Sequence, residues 1–235
     1  MMKDKTHLKA GGLVFEPRAF AAAHAMAGST RFEPAPFHEG RKYLIHHPGS
    51  QGQVPQCAGE MLQRIMEAHD WKLYESMPEG PKYDPAAMYK EAKKFDGMPD
   101  VEGTTFDGIV SGAQSLGMIP EHFELKYFNT WKGYQLALHR SYTETCMLGF
   151  QITEGYRQAS RRTGMIKTGG RYDERLGGHA VVGCTYDEQD TAGSQTAWGD
   201  FGWRGLGFVR VPKAWFIKHL MYGASLYDPK RGIYV

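Results

Sequence analysis

The hydrophobic pattern changes along the chain, and this change limits the architectures that the chain can adopt. Helical signals dominate about residues 57–117, and strand signals dominate about residues 145–211. Apolar side chains recur at helical spacing in residues 57–68. A run of helices followed by a run of strands predicts two lobes that meet within residues 120–142.

Three local patterns sharpen this division. Residues 83–92 predict a capped helix with a proline in its first turn, and residues 103–117 predict a second helix. Residues 146–152 form an apolar run that is typical of a buried strand.

The domain boundaries follow from these patterns. We expect an N-terminal extension of residues 1–40 and one domain of residues 41–235. The domain divides into a helical lobe of about residues 41–125, a β lobe of about residues 126–211 and a C-terminal tail of residues 212–235. The extension either packs on the chain's own surface or grips a neighbouring molecule.

Composition agrees with a compact domain that has its own core. The chain has 235 residues, of which 41% are hydrophobic and 23% charged, so it can bury a full-sized core. Its 28 Lys and Arg against 26 Asp and Glu create no strong field, so we expect neither nucleic acid nor membrane partners. No secretion signal is recognisable, which predicts synthesis in the cytoplasm and leaves the final compartment unknown.

Three motifs in a fixed order carry the chemistry. Gln51 stands six residues before Cys57, and Pro55 between them suits the entry of a helix. A thiol in the first turn of a helix is favoured as thiolate by the unpaired amides there. His179 follows two glycines and precedes an apolar strand, and Trp198-Gly199 opens an aromatic segment that ends at Gly207-Phe208.

In this order, the motifs resemble those of the papain-like cysteine peptidases. The resemblance covers about residues 41–212 and implies an α+β, two-lobed fold with a helical lobe and an antiparallel β-barrel lobe. It implies that Cys57 is the nucleophile and that His179 is its base and the later proton donor. Gln51 and the backbone amide of Cys57 would stabilise the oxyanion. The implied substrate is a peptide or protein, and the implied chemistry needs no cofactor.

One departure concerns the residue that orients the imidazole. The family has an asparagine just before its Ser-Trp-Gly, whereas the chain's single asparagine is Asn129, upstream of the histidine. Thr196 stands at the aligned position with Gln195 beside it, and either side chain carries an oxygen that accepts a hydrogen bond. Trp198 keeps the place of the shielding tryptophan. Ala58 replaces the tryptophan that usually follows the nucleophile.

The missing asparagine keeps a non-enzymatic alternative open. In it, the chain is a catalytically degenerate papain-fold subunit of a larger assembly such as a virion, with contacts made through its N- and C-terminal arms. Two other cysteine–histidine classes fit less well. Small cell-wall endopeptidases show Asp-Cys-Ser at the nucleophile, and transglutaminase-like enzymes need an acid, for which Asp187, Asp190 and Asp200 are candidates. Neither class explains the glutamine together with the tryptophan segment.

Cysteine and histidine spacing argues against disulfides and metal. The chain has three cysteines, and if Cys57 is the nucleophile only Cys146 and Cys184 remain to pair. Both lie in apolar strands, where reduced and buried thiols are the commoner outcome. The chain has no Cys-x-x-Cys and no pair of histidines four residues apart, so we expect no metal site.

Overall fold

The fold was examined in a computed structural model, which describes residues 13–14, 35, 38–44, 50–52, 54–75 and 82–235. The described residues contain six α-helices: α1 Cys57–Tyr74, α2 Pro85–Ala92, α3 Phe106–Ser115, α4 Trp131–Arg140, α5 Glu154–Arg157 and α6 Lys213–His219. They also contain eight strands: β1 His38–Glu39, β2 Glu124–Phe128, β3 Cys146–Thr153, β4 Arg175–Tyr186, β5 Thr191–Gln195, β6 Phe208–Pro212, β7 Leu220–Asp228 and β8 Ile233–Tyr234. Short 3₁₀ turns lie at Arg41–Tyr43 and Gly170–Asp173.

The helical lobe consists of α1, α2 and α3. Of these, α2 and α3 each begin after a residue whose side chain caps the helix. The Asp84 side chain accepts hydrogen bonds from two amides at the start of α2, whose first residue is Pro85. Thr105 caps α3 in the same way by accepting from the Gly108 amide. Such caps satisfy amides that have no partner within the helix. The predicted helices at 83–92 and 103–117 are therefore present, and their starts lie at these caps.

The β lobe is one antiparallel sheet in the order β2-β7-β3-β4-β5-β6, with β1 paired to β4 and β8 paired to β7. Side chains alternate between the faces of a strand. Accordingly, Ala180 and Val182 of β4 belong to the core shared with the helical lobe, whereas Val181 belongs to the core on the opposite face. The predicted α+β fold, with a helical lobe against an antiparallel sheet, is confirmed.

The segment after residue 212, which the sequence suggested as a tail, contributes an internal strand to the sheet. It forms α6, β7 and β8, and β7 pairs with β2 on one side and β3 on the other. From the extension of residues 1–40, Leu13 makes a parallel bridge to Thr104 and β1 pairs with β4. The sequence also predicts a short alanine-rich helix at residues 18–27, a stretch that lies outside the described residues.

All three cysteines are buried free thiols. Cys146 lies on β3 opposite Gly183, one residue from Cys184 on β4. Among the helices that the structure describes, none combines the length and the apolar composition needed to span a membrane.

Candidate active site

Cys57 is the first residue of α1 and lies where the helical lobe meets the sheet. Its side chain is buried, with 1% of the residue exposed. The sulfur accepts a hydrogen bond from the backbone amide of Ala180 on β4 at 3.4 Å. The thiol therefore touches the residue that directly follows His179, across the boundary between the lobes.

His179 lies on β4 opposite Phe150 of β3 and is fully buried. Its Nε2 is 2.6 Å from the hydroxyl oxygen of Thr196, and its Nδ1 has no hydrogen-bond partner among the described residues. The Trp198 ring stacks on the imidazole with a centroid distance of 4.4 Å and an interplanar angle of 26°. Thus one nitrogen and one face of the ring are held, and no hydrogen bond joins the ring to the Cys57 sulfur.

Thr196 is held by its own backbone, since its amide donates to the carbonyl of Gly207 at 3.0 Å. Gln195, the other orienting candidate, donates its side-chain amide to the carbonyl of Leu206 at 3.1 Å. The side chains of adjacent residues in an extended segment point to opposite faces. Of these two neighbours, Thr196 is the one that bonds to the imidazole.

Gln51 lies on a loop that runs beside the tryptophan segment. The backbone amide of Gln51 donates to the carbonyl of Ala197 at 3.0 Å. The preceding residue, Ser50, forms an antiparallel bridge with Trp198. The buried Gln51 side chain donates to the carbonyl of Val54 at 3.2 Å, which ties it to the turn that leads into α1. These bonds bring the glutamine, the tryptophan segment and the start of α1 together.

The acids that a transglutaminase-like site would need are bonded to arginine and lysine side chains. The Asp187 carboxylate accepts from Arg210 at 2.6 Å, and the side-chain Nζ of Lys213 donates to the Asp190 carboxylate at 3.0 Å. The Asp200 carboxylate accepts two hydrogen bonds from the guanidinium of Arg161, at 2.6 and 2.7 Å. None of these carboxylates bonds to the imidazole, whose described partner is the threonine hydroxyl.

Burial dominates the electrostatics of the pair. It raises the pKa of the Cys57 thiol to about 12, against a smaller lowering from the Ala180 amide bond. Burial also lowers the pKa of His179 to about 3. Both groups are therefore neutral at pH 7 at these buried positions, because a charge there would lose its hydration. The thiolate expected from the helix terminus is not formed in this state, since desolvation outweighs the effect of the unpaired amides.

One buried group near the thiol was missed from the sequence. Glu60 lies one turn after Cys57, is 4% exposed and accepts a hydrogen bond from the Gln56 side chain at 3.1 Å. Burial raises the pKa of its carboxyl. The four-residue spacing of Gln56 and Glu60 is the signal that could have revealed the pair, since such residues are neighbours on a helix.

The sequence matches neither a protein-family model nor a curated protein. Solved structures do match. Xylellain, a cysteine protease from Xylella fastidiosa, has a TM-score of 0.62 at 12% identity, over 95% of this chain and 92% of that one. Procathepsin B S9 from Trypanosoma congolense has a TM-score of 0.57 at 10% identity, over 99% and 85% of the two chains.

A third match is the structure of the cysteine protease and lectin-like domains of Cwp84, a surface-layer-associated protein of Clostridium difficile. Its TM-score is 0.59 at 12% identity, over 95% of this chain and 63% of that one. The alternative of a degenerate assembly subunit gains no support from these neighbours. With the helical lobe, the antiparallel sheet and these similar structures taken together, the chain has the fold of the papain-like cysteine proteases.

Proposed function

We propose that the chain is a cysteine peptidase that hydrolyses peptide or isopeptide bonds through a thioester on Cys57. The observation that carries the proposal is the 3.4 Å hydrogen bond from the Ala180 amide to the Cys57 sulfur, one residue from His179. It joins a thiol at a helix start to the strand of a buried imidazole, and the neighbours with this fold are cysteine proteases.

In the proposed reaction, His179 takes the thiol proton and the Cys57 sulfur attacks the substrate carbonyl carbon. The carbon–nitrogen bond then breaks, and the imidazolium returns the proton to the leaving amine. A water molecule, deprotonated by the same imidazole, attacks the thioester. The carboxylic acid leaves and the thiol is regenerated, so each step uses only substrate, water and the chain's own groups.

Three further residues have supporting roles in the proposal. Thr196 holds the imidazole at Nε2, so that Nδ1 is the nitrogen that exchanges the proton. Trp198 covers one ring face and keeps water from that contact. Gln51, together with the backbone amide of Cys57, donates to the carbonyl oxygen as it becomes negatively charged.

A peptidyl vinyl sulfone followed by peptide mapping tests the proposal. Burial raises the pKa of all three thiols, but of the three it is Cys57 that is hydrogen-bonded to the residue beside His179, so we expect modification of Cys57 at a rate far above that of Cys146 or Cys184. His179→Gln should abolish the rapid reaction while leaving the slow labelling of the other two thiols unchanged. Equal and slow modification of all three cysteines in the folded protein would contradict the proposal.

A further inference from the structure

Glu60 lies in the first turn of α1, on the same side of the helix as Cys57. Residues three apart in a helix are neighbours on its surface, with about 5–6 Å between their Cβ atoms. The Glu60 residue is 4% exposed and the Cys57 residue 1%. Two side chains that can carry a negative charge are therefore buried together at one helix terminus.

Hydrogen bonds hold the Glu60 carboxyl group in this place. Its Oε1 accepts from Gln56 Nε2 at 3.1 Å, and the backbone amide of Glu60 donates to the Gln56 carbonyl at 3.1 Å. Glu60 also lines a small cavity between α1 and the sheet, and Ala180 and Thr196 line the same cavity. The carboxyl group therefore borders a space whose wall includes the two residues that bond to the thiol and to the imidazole.

The charge of Glu60 is only partly balanced by its surroundings. Its hydrogen-bond donor is a neutral amide, whereas the Arg64 guanidinium donates to Glu67 at 3.3 Å. Within the described part of the chain, the charged groups that act on Glu60 are Arg64 and Glu67 on α1 and Asp84 before α2. The sheet faces the cavity with the uncharged residues 180–182 and 195–197. Burial raises the pKa of the Glu60 carboxyl more than the amide bond and the arginine lower it.

One helix terminus cannot stabilise two anions fully. The aligned peptide groups act as about half a positive charge at the start of a helix. A thiolate at Cys57 and a carboxylate at Glu60 would place two full negative charges there, in surroundings that exclude water. A like charge within about 4–6 Å disfavours ionisation. Burial is the main cause of the raised pKa of Cys57, and Glu60 adds to it.

We propose that Glu60 is a positioning residue whose negative charge restrains the reactivity of Cys57. This rests on the proposed function, in which the Cys57 sulfur gives up its proton and attacks the substrate. While Glu60 is ionised, the thiol keeps its proton and reacts slowly. When Glu60 takes up a proton, the thiolate fraction rises at a given pH. The thiol therefore loses less reactivity on acidification than it would without this neighbour.

Glu60→Gln in the full-length chain tests the restraint, because it removes the charge and keeps the size of the side chain and an oxygen for Gln56. The probe is methyl methanethiosulfonate, a small neutral reagent that reacts with thiolates, and peptide mapping measures the modification of Cys57. At pH 8 we expect the variant to react about tenfold faster than the unmodified chain, which corresponds to one pKa unit. The ratio of the two rates should fall towards one at pH 4.5 and below, because Glu60, whose pKa is raised from 4.5, is then mostly protonated.

The matched control is Glu67→Gln, the same chemical change on the same helix. Glu67 accepts from the side chain of Gln63, four residues earlier, at 2.7 Å. This repeats the arrangement at Glu60, and burial raises the pKa of the Glu67 carboxyl as well. However, Glu67 lies about 15 Å from Cys57 along the helix axis, against about 4.5 Å for Glu60. The control should therefore react within twofold of the unmodified chain at every pH.

The pH dependence of the ratio separates an effect of charge from a loosened fold. His179 stays neutral between pH 8 and pH 4.5, since burial lowers its pKa to about 3, so a change in the ratio over this range belongs to Glu60. Glu60→Met, which also removes the charge but not the bulk, should behave like Glu60→Gln. The proposal is wrong if the ratio is one at pH 8, if it is the same at every pH, or if the Glu67 control shows the same increase.

The measurement also separates this proposal from the peptidase proposal, because the reagent needs neither substrate binding nor hydrolysis. A ratio that changes with pH in a chain that cleaves no peptide would support the restraint and count against the peptidase. Peptide cleavage by a chain whose Glu60 variants react at the unmodified rate would support the peptidase and overturn the restraint.

Discussion

Thr196→Val removes one hydroxyl group from a buried contact and preserves the size of the side chain. In the structure, the hydroxyl oxygen is 2.6 Å from His179 Nε2, and the two residues are 1% and 0% exposed. Water cannot replace the lost partner without opening the core. A buried polar atom left without a partner costs about 1–3 kcal/mol. Since the ring must gain a proton on the way to the acyl-enzyme, we expect this cost to appear in the barrier, slowing acylation about 5- to 150-fold.

The assay is single-turnover acylation with a fluorogenic peptide ester, which separates acylation from thioester hydrolysis. Ser194→Ala is the matched control, because it removes a buried hydroxyl two residues before Thr196, on β5, that lies 3.3 Å from the hydroxyl of Tyr156. The control should lower the unfolding midpoint but leave acylation within twofold. Thr196→Asn should keep most of the rate or raise it, since its amide oxygen can accept from the ring.

Two results would refute the reasoning about Thr196. If the valine variant is folded and acylates at the unmodified rate, the hydroxyl does not orient the imidazole. If the Ser194→Ala control slows acylation equally, the loss comes from general loosening of the core rather than from the ring contact.

Three further predictions concern stability. Because burial lowers the pKa of His179, the unfolded chain binds one more proton than the folded chain between about pH 6.5 and pH 3. The free energy of unfolding should therefore fall as the solution is acidified through this range. His179→Gln should remove up to about 1.4 kcal/mol per pH unit of that slope in urea titrations. The raised pKa of Cys57 means that stability should fall as pH rises from about 9 to about 12, and Cys57→Ser should flatten this limb in the same titrations. Gly59→Ala should destabilise the fold by about 1–3 kcal/mol in thermal melts, despite the better helix propensity of alanine. The reason is that the new Cβ would lie 2.5 Å from the backbone carbonyl oxygen of Pro85. An unchanged unfolding midpoint would show that α2 moves aside freely.

The parts of the fold that depend on nearby residues could be predicted from the sequence. The start of helix α1 at Cys57 could be predicted because the apolar spacing and the upstream proline are local signals. The strand β4 around His179 could be predicted because it is an apolar run. The motif order led us to expect that either Thr196 or Gln195 contacts His179, and in the structure it is Thr196 that does. The catalytic roles of these residues stay predictions that the variants above test.

The remaining features depend on distant partners and left no local signal. The place of β7 between β2 and β3 is set by pairing with strands far upstream. The neutral state of the thiol and imidazole follows from how completely both lobes exclude water, whereas the helix terminus alone favours a thiolate. Leu13 fits its pocket because Gly149 and Gly178 leave room, which becomes visible only when the strands are aligned.

The position of β7 also determines when the sheet can be completed during synthesis. Glu124 of β2 pairs with Tyr227, and Met147 of β3 pairs with Ala224. Both strands therefore need a partner strand, β7, that is made much later. Long-range pairing of this kind slows folding, because a large loop must close before the contacts stabilise it. The chain of residues 38–219 alone would leave the facing edges of β2 and β3 unpaired, an arrangement that invites aggregation. Because residues 220–228 are made after both β2 and β3, these two strands are joined in one sheet only once β7 lies between them.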